Sequence, residues 1–134
     1  MIVVDSNIIA HLYLNSERSE EVELILRKDP DWAEPILWRS EFRNVLAFYV
    51  RKRILDLAAS QCIMAAAEAR MSGFEYEVHS ADVLRMAAES DCSAYYCEFV
   101  VLAQRPGVRF VTSDRQVLAR FPDGMVSPIQ FLQT

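Results

Sequence analysis

Three acids stand where a carboxylate can do chemistry rather than simply face water: Asp5, Glu41 and Asp114. Asp5 ends the β-branched run Ile2-Val3-Val4, and Asp114 follows Val111-Thr112-Ser113, so each closes a segment apolar enough to be a buried strand. In an open α/β sheet, ligands bind outside the carboxyl ends of the strands, where both aspartates fall. Glu41 lies on a helical stripe with Trp38, Val45 and Phe48, and a charge among such side chains needs a partner. Brought into one pocket, three carboxylates repel unless cations sit between them. Hard oxygen donors in an open cluster select Mg²⁺ or Mn²⁺, and such clusters hydrolyse phosphodiesters by activating water and neutralising charge on phosphate. Simpler roles stand beside this one. Asp5 can be a helix cap, Glu41 can pair with Arg39 or Arg43, and Thr112 and Ser113 can cap a strand end instead of orienting Asp114 or a water.

The elements that must position these acids alternate along the chain. Strands are predicted over 2–4, 32–35, 74–79 and 108–112, with an edge strand at 125–126. Helices are predicted over 8–14, 16–28, 36–53, 55–71, from 81 to the break at Asp91, over 94–104, around Val117-Leu118 and over 128–132, the first capped by Ser6 or Asn7. No repeat or low-complexity tract interrupts the series. The reading is one domain over 1–134, an α/β sandwich with a mostly parallel sheet of four to five strands and helices on both faces.

Composition narrows the function. With 134 residues, 52% hydrophobic and only 3 Gly, the chain can build a proper core but has no Gly-rich loop to cradle phosphates, which sets dinucleotide-binding and phosphate-transfer readings aside. A net charge of -5 argues against a broad electrostatic grip on nucleic acid, although Arg39, Arg43 and Arg51-Lys52-Arg53 leave a local basic patch. Cys62, Cys92 and Cys97 form no Cys-x-x-Cys pair and read as small buried hydrophobes; His11 and His79 have no partner at metal-ligand spacing. No apolar run spans a membrane and no secretion signal opens the chain, which points to the cytoplasm.

Four blocks carry a resemblance. Val4-Asp5-Ser6-Asn7-Ile8-Ile9, Ser40-Glu41-Phe42-Arg43-Asn44-Val45-Leu46, Cys92-Ser93-Ala94-Tyr95 and Val111-Thr112-Ser113-Asp114-Arg115 resemble, in order and spacing, those of PIN-domain proteins of the VapC toxin type. The resemblance implies a PIN-like three-layer sandwich and a Mg²⁺- or Mn²⁺-dependent endoribonuclease, the toxin of a type II toxin-antitoxin pair. It implies a homodimer neutralised by a VapB-like antitoxin, with no membrane partner. By the same resemblance Asp5, Glu41 and Asp114 are metal ligands and catalytic residues, Ser6, Thr112 and Ser113 support them, and Arg43 and Arg115 contact RNA phosphates.

One position departs from the pattern. Where similar family members carry a metal-binding Asp, this chain has Tyr96, and a phenol with a pKa of about 10 is a poor Mg²⁺ ligand at neutral pH. Asp91 lies five residues earlier, and Glu98 points roughly 200° away around the helix. Tyr96 fits a degenerating toxin, a substitution that makes a toxic protein tolerable to express, or a site that holds one ion weakly. The alternative to an enzyme is a PIN-fold binding module that retains only antitoxin or RNA binding.

Overall fold

Ile2, Val3 and Val4 form β1 (Ile2–Val4), and their side chains alternate between the two faces of a five-stranded, all-parallel sheet. Ile2 and Val4 enter one core cluster with Trp32 and Val111, whereas Val3 enters the other with Ala33 and Phe110. Such a strand, buried on both faces, needs the unbroken apolar run this one has. The computed structural model describes residues 1–134.

After β1 the chain runs through α1 (Ser6–Tyr13), α2 (Ser19–Lys28), β2 (Trp32–Pro35), α3 (Trp38–Arg51), α4 (Leu57–Met71) and β3 (Glu75–Tyr76). It then returns through α5 (Ser80–Ser90) and α6 (Ala94–Gln104) to β4 (Phe110–Val111), α7 (Arg115–Arg120), β5 (Met125–Val126) and α8 (Pro128–Gln133). Apolar side chains of α1, α2, α3, α4 and α8 cover one face of the sheet; those of α6 and α7 cover the other, with α5 packed on α6. No helix is long and apolar enough to cross a membrane.

The strand order is β3-β2-β1-β4-β5. The chain therefore grows outward from β1 in one direction, crosses back, and grows outward in the other. β1 and β4 are neighbours at the point of reversal, with Val3 opposite Phe110 and Val4 opposite Val111. Connections leaving in opposite directions open a crevice at the carboxyl ends of these two strands. Asp5 stands at one lip and Thr112 to Asp114 at the other.

Several sequence expectations need correction. The first helix starts at Ser6 because Asp5 itself is its cap, rather than Ser6 or Asn7. The second starts at Ser19, since Ser16 is spent holding the preceding turn through hydrogen bonds with Ser19, His11 and Arg18. The third strand shrinks to two residues at the sheet edge. Cys62 is exposed on α4, although Cys92 and Cys97 are buried as expected. Phe48, placed on a buried stripe by spacing alone, is 52% exposed because it lies off the α3 face that carries Trp38, Phe42, Leu46 and Tyr49 to the core.

Two features fix α3. Trp38 Nε1 donates to Glu75 Oε2 at 2.9 Å, and Arg39 bridges Glu75 on β3 and Glu68 on α4. Phe42 is fully buried, with its ring 6.3 Å from that of Trp38 and 6.1 Å from that of Tyr13 on α1. Beside them β2 buries an acid that sequence reading overlooked. Glu34 is wholly inaccessible; its Oε1 accepts from Val4 N at 3.1 Å, and its Oε2 has no partner. Burial pushes its carboxyl well above the usual range, against the pull of the Val4 hydrogen bond, and the charges of Asp5 and Glu41 push the same way.

Phe42→Ala should cost about 3–5 kcal/mol in chemical denaturation, the range for losing a buried aromatic ring. Glu34→Gln keeps the shape of the neutral acid but cannot ionise. A raised native pKa means that stability from the protonated acid is complete below the unfolded-state value, about 4.3, and is lost as pH rises towards the folded-state value. Urea titrations at increasing pH should therefore show the parent chain losing stability relative to Glu34→Gln; parallel profiles would mean Glu34 is already charged.

Candidate active site

Asp5 reaches the crevice because β1 ends on it, and its two oxygens are held from different directions. Oδ1 accepts from Asn7 N at 2.8 Å and Ile8 N at 3.3 Å, while Oδ2 accepts from Thr112 Oγ1 at 2.7 Å. Only 4% of the residue is exposed. A carboxylate this buried requires such donors, and they come from the start of α1 and the end of β4.

Thr112 carries the connection onward. Its hydroxyl donates to Asp5 and accepts from Asp114 N at 3.1 Å, while Asp114 Oδ1 caps α7 by accepting from Val117 N at 3.0 Å. Asp5 through its carboxylate and Asp114 through its backbone N–H thus share one hydroxyl, across 107 residues of sequence in the case of Asp5. Glu41 enters from the other layer, in the first turn of α3, where Oε1 accepts from Ser6 Oγ at 2.8 Å. Neither Arg39 nor Arg43 pairs with it: Arg39 is committed to Glu68 and Glu75. Burial raises the Glu41 pKa, Ser6 opposes this, and the charges of Asp5 and Glu98 add to the rise.

Asp5, Ser6, Asn7, Glu41, Asn44 and Tyr96 line a cavity of about 200 Å³ above the β1 end of the crevice. Tyr96 projects into it from α6, whose first turn is capped by Ser93 Oγ accepting from Tyr96 N at 3.2 Å. Burial chiefly, then the nearby charges of Asp114, Asp5 and Glu41, drives the phenol pKa far above its ordinary value. A neutral side chain therefore stands among the three acids.

As the side chains stand, no group of three or more His, Cys, Asp or Glu residues is assembled to hold a metal ion. The donors nevertheless suit a hard cation. Asp5 and Glu41 face one cavity with hydroxyl and amide oxygens beside them, and Mg²⁺ is commonly held by one or two carboxylates, the rest of its shell being water and substrate phosphate.

Sequence position alone misplaces some candidates. Arg43 points away from Glu41 into an apolar groove of about 370 Å³ between α3 and α4, lined by Leu46, Val50, Leu57 and Met64. Arg115 is exposed at the start of α7 beside Asp114. Asp91 takes a left-handed conformation at the end of α5 and pairs with Arg120, and Glu98 lines a separate hollow by Val78 and Ser80. Neither refills the position of Tyr96. Asn44 was overlooked, although its spacing of three from Glu41 puts both on one helix face.

No protein-family model matches the chain. Its fold is similar to that of PAE2754 from Pyrobaculum aerophilum, with a TM-score of 0.75 at 23% identity over 98% of this chain and 86% of that one. It is also similar to a chain of a toxin-antitoxin complex from Klebsiella pneumoniae, with a TM-score of 0.65 at 16% identity over 96% and 98% of the two chains. At these identities the likeness is one of fold. Sequence adds more: the chain is 31% identical over 133 residues to ribonuclease VapC3 of Pyrobaculum aerophilum, covering 95% of this chain and 98% of that protein. A match of that identity over nearly the full length of both proteins, on the fold the four sequence blocks imply, shows that this chain belongs to the VapC family of PIN-domain proteins.

Proposed function

We propose that the chain is an endoribonuclease of the toxin type, dependent on Mg²⁺ or Mn²⁺, with its metal affinity weakened by Tyr96. The observation that carries this reading is the meeting of Asp5 and Glu41 in one cavity at the β1/β4 crevice, with Asp114 tied to Asp5 through the Thr112 hydroxyl. Likeness to a ribonuclease over nearly the whole chain supports it. Asp5, Glu41 and Asp114 would hold the ion. When bound, it supplies an activated water and neutralises charge on the phosphate.

The protein's own groups do the rest. Ser6 fixes the rotamer of Glu41, and Thr112 fixes Asp5 while steadying the backbone at Asp114, so the carboxylates stay preorganised. Ser113 belongs to the same support. Asn7 and Asn44 can donate to the ribose-phosphate chain entering the cavity, and Arg115, exposed at the start of α7, meets phosphates farther along the strand. A leaving ribose oxygen would take its proton from solvent.

The partner proposed with this function is a VapB-like antitoxin, in line with the toxin-antitoxin complex among the similar structures. The apolar α3/α4 groove, with Arg43 and Arg51 at its rim, suits the apolar face of such a protein. A second copy of the chain belongs to the proposal as well. Leu84 on α5 and Tyr95 on α6, each 65% exposed, offer apolar surface for it. The proposed setting is the cytoplasm, where RNA and antitoxin are both present.

Tyr96 also favours a second reading, a PIN-fold module that binds but no longer cuts, because the phenol removes one negative charge and occupies space among the acids. Cleavage of single-stranded RNA in Mg²⁺ above the level of Asp5→Ala supports the enzyme; cleavage no faster than that blank leaves the binding module. Calorimetric Mn²⁺ titration should show Tyr96→Asp binding more than tenfold tighter, about 1.4 kcal/mol, than the parent chain. Equal affinity would refute the assigned effect of Tyr96.

A further inference from the structure

The lip of the crevice formed by β4 carries a fixed cation that the acid site does not account for. Arg18 sits at the start of α2, and its guanidinium reaches over the end of β4, where Nη1 donates to Ser113 Oγ at 2.8 Å. Nη2 pairs with Glu21 Oε1 at 2.9 Å. Two of the five guanidinium N–H groups are spent in this way, and three remain. The turn beneath is itself locked. Ser19 Oγ donates to His11 O at 2.7 Å, Ser16 N donates to Ser19 Oγ at 3.0 Å, and Arg18 N donates to Ser16 Oγ at 3.2 Å.

This contact ties Arg18 to the residue next to Asp114, and Asp114 is joined through Thr112 to Asp5. His11 feels both ends of the arrangement: after burial, the charge of Arg18 lowers its pKa and that of Asp5 opposes the change. Elsewhere on this edge the charge is negative, from Asp5, Glu41 and Asp114, and a polyanion approaching it meets repulsion. Arg43 faces the α3/α4 groove, and Arg115 is exposed with no side-chain partner to orient it. Arg18 alone of the three is held by partners on two sides, so an anion docking on it loses little side-chain entropy.

We propose that Arg18 is a phosphate-positioning residue of this site, binding a phosphodiester of single-stranded RNA at the β4 lip next to the carboxylates, with Ser113 and Glu21 fixing its guanidinium. The proposal rests on the ribonuclease reading above and adds where the strand lies. RNA crosses the crevice with one phosphate over the end of β4, and the adjoining linkage falls towards Asp5 and Glu41. A guanidinium suits this role because its planar fork can give a phosphate two charge-assisted hydrogen bonds.

The test uses the full chain in Mg²⁺ with a fluorescein-labelled single-stranded RNA, binding being followed by anisotropy over a range of KCl concentrations and folding by thermal melting. Arg18→Gln should weaken binding about 5- to 10-fold and reduce the slope of log K against log salt by about 0.7, the contribution of one phosphate contact to a single strand. Ser113→Ala, which frees the guanidinium but keeps its charge, should weaken binding less and leave the slope unchanged. Arg18→Lys should also keep the slope. If Arg18→Gln lowers the melting temperature but leaves the slope at the parent value, Arg18 is only a staple between two loops and the proposal fails. Should Arg18→Gln not fold, a parent-like affinity in both Ser113→Ala and Arg18→Lys overturns the proposal equally. Absence of saturable RNA binding by the parent chain would remove the ribonuclease reading, and this inference with it.

Discussion

A carboxylate buried at the end of a central strand must be solvated by the protein, and the way Asp5 is solvated organises the site. Its donors are two backbone N–H groups of α1 and the Thr112 hydroxyl from β4. Those groups converge only if α1 starts immediately after β1 and β4 lies directly beside it. The strand order that sets β1 against β4 is thus the same fact as the burial of Asp5. Loss of the Thr112 hydroxyl would leave Oδ2 without that donor in a nearly inaccessible place, so fold and site are coupled at this one hydrogen bond.

Glu41 depends on a different part of the molecule. Its helix packs beside α1 on the same face of the sheet and is pinned at its start by Trp38 and Arg39 to Glu75, and along its length by Phe42 against Tyr13. That packing brings the first turn of α3 down to Ser6. Two independent anchors, a polar clamp towards β3 and an aromatic contact towards α1, therefore fix a carboxylate whose burial favours its neutral form. The cavity lies where the sheet edge meets the helices, and its carboxylates come from both, Asp5 from the end of β1 and Glu41 from α3.

Much of this arrangement was legible in the sequence. Two apolar runs ending in aspartate announced a parallel sheet with acids at its carboxyl edge, and the alternation of helices with strands announced the layers. What stayed hidden depends on contacts between residues distant in sequence. The charge of Glu34 marks β2 as atypical, but only the pairing of β1 with β2 shows that its carboxyl is locked against Val4. Spacing put Phe48 on a stripe with Trp38 and Val45, whereas the core takes the helix face of Trp38, Phe42 and Leu46. Arg18 carries no local mark at all, since its partner Ser113 lies 95 residues away.

Charge balance at the crevice joins these observations. Carboxylates gathered around one cavity repel one another, and that repulsion favours their neutral forms. Here the repulsion is reduced by the protein itself: Tyr96 adds bulk but no charge, burial favours the neutral form of Glu34, and Glu41 is shifted towards its neutral form. Each change makes the cluster of acids easier to bury, because fewer negative charges face one another. Fold stability and the repulsion among Asp5, Glu41 and Asp114 are therefore linked in this chain, and Tyr96, whose phenol feels all three charges, stands where that link is closest.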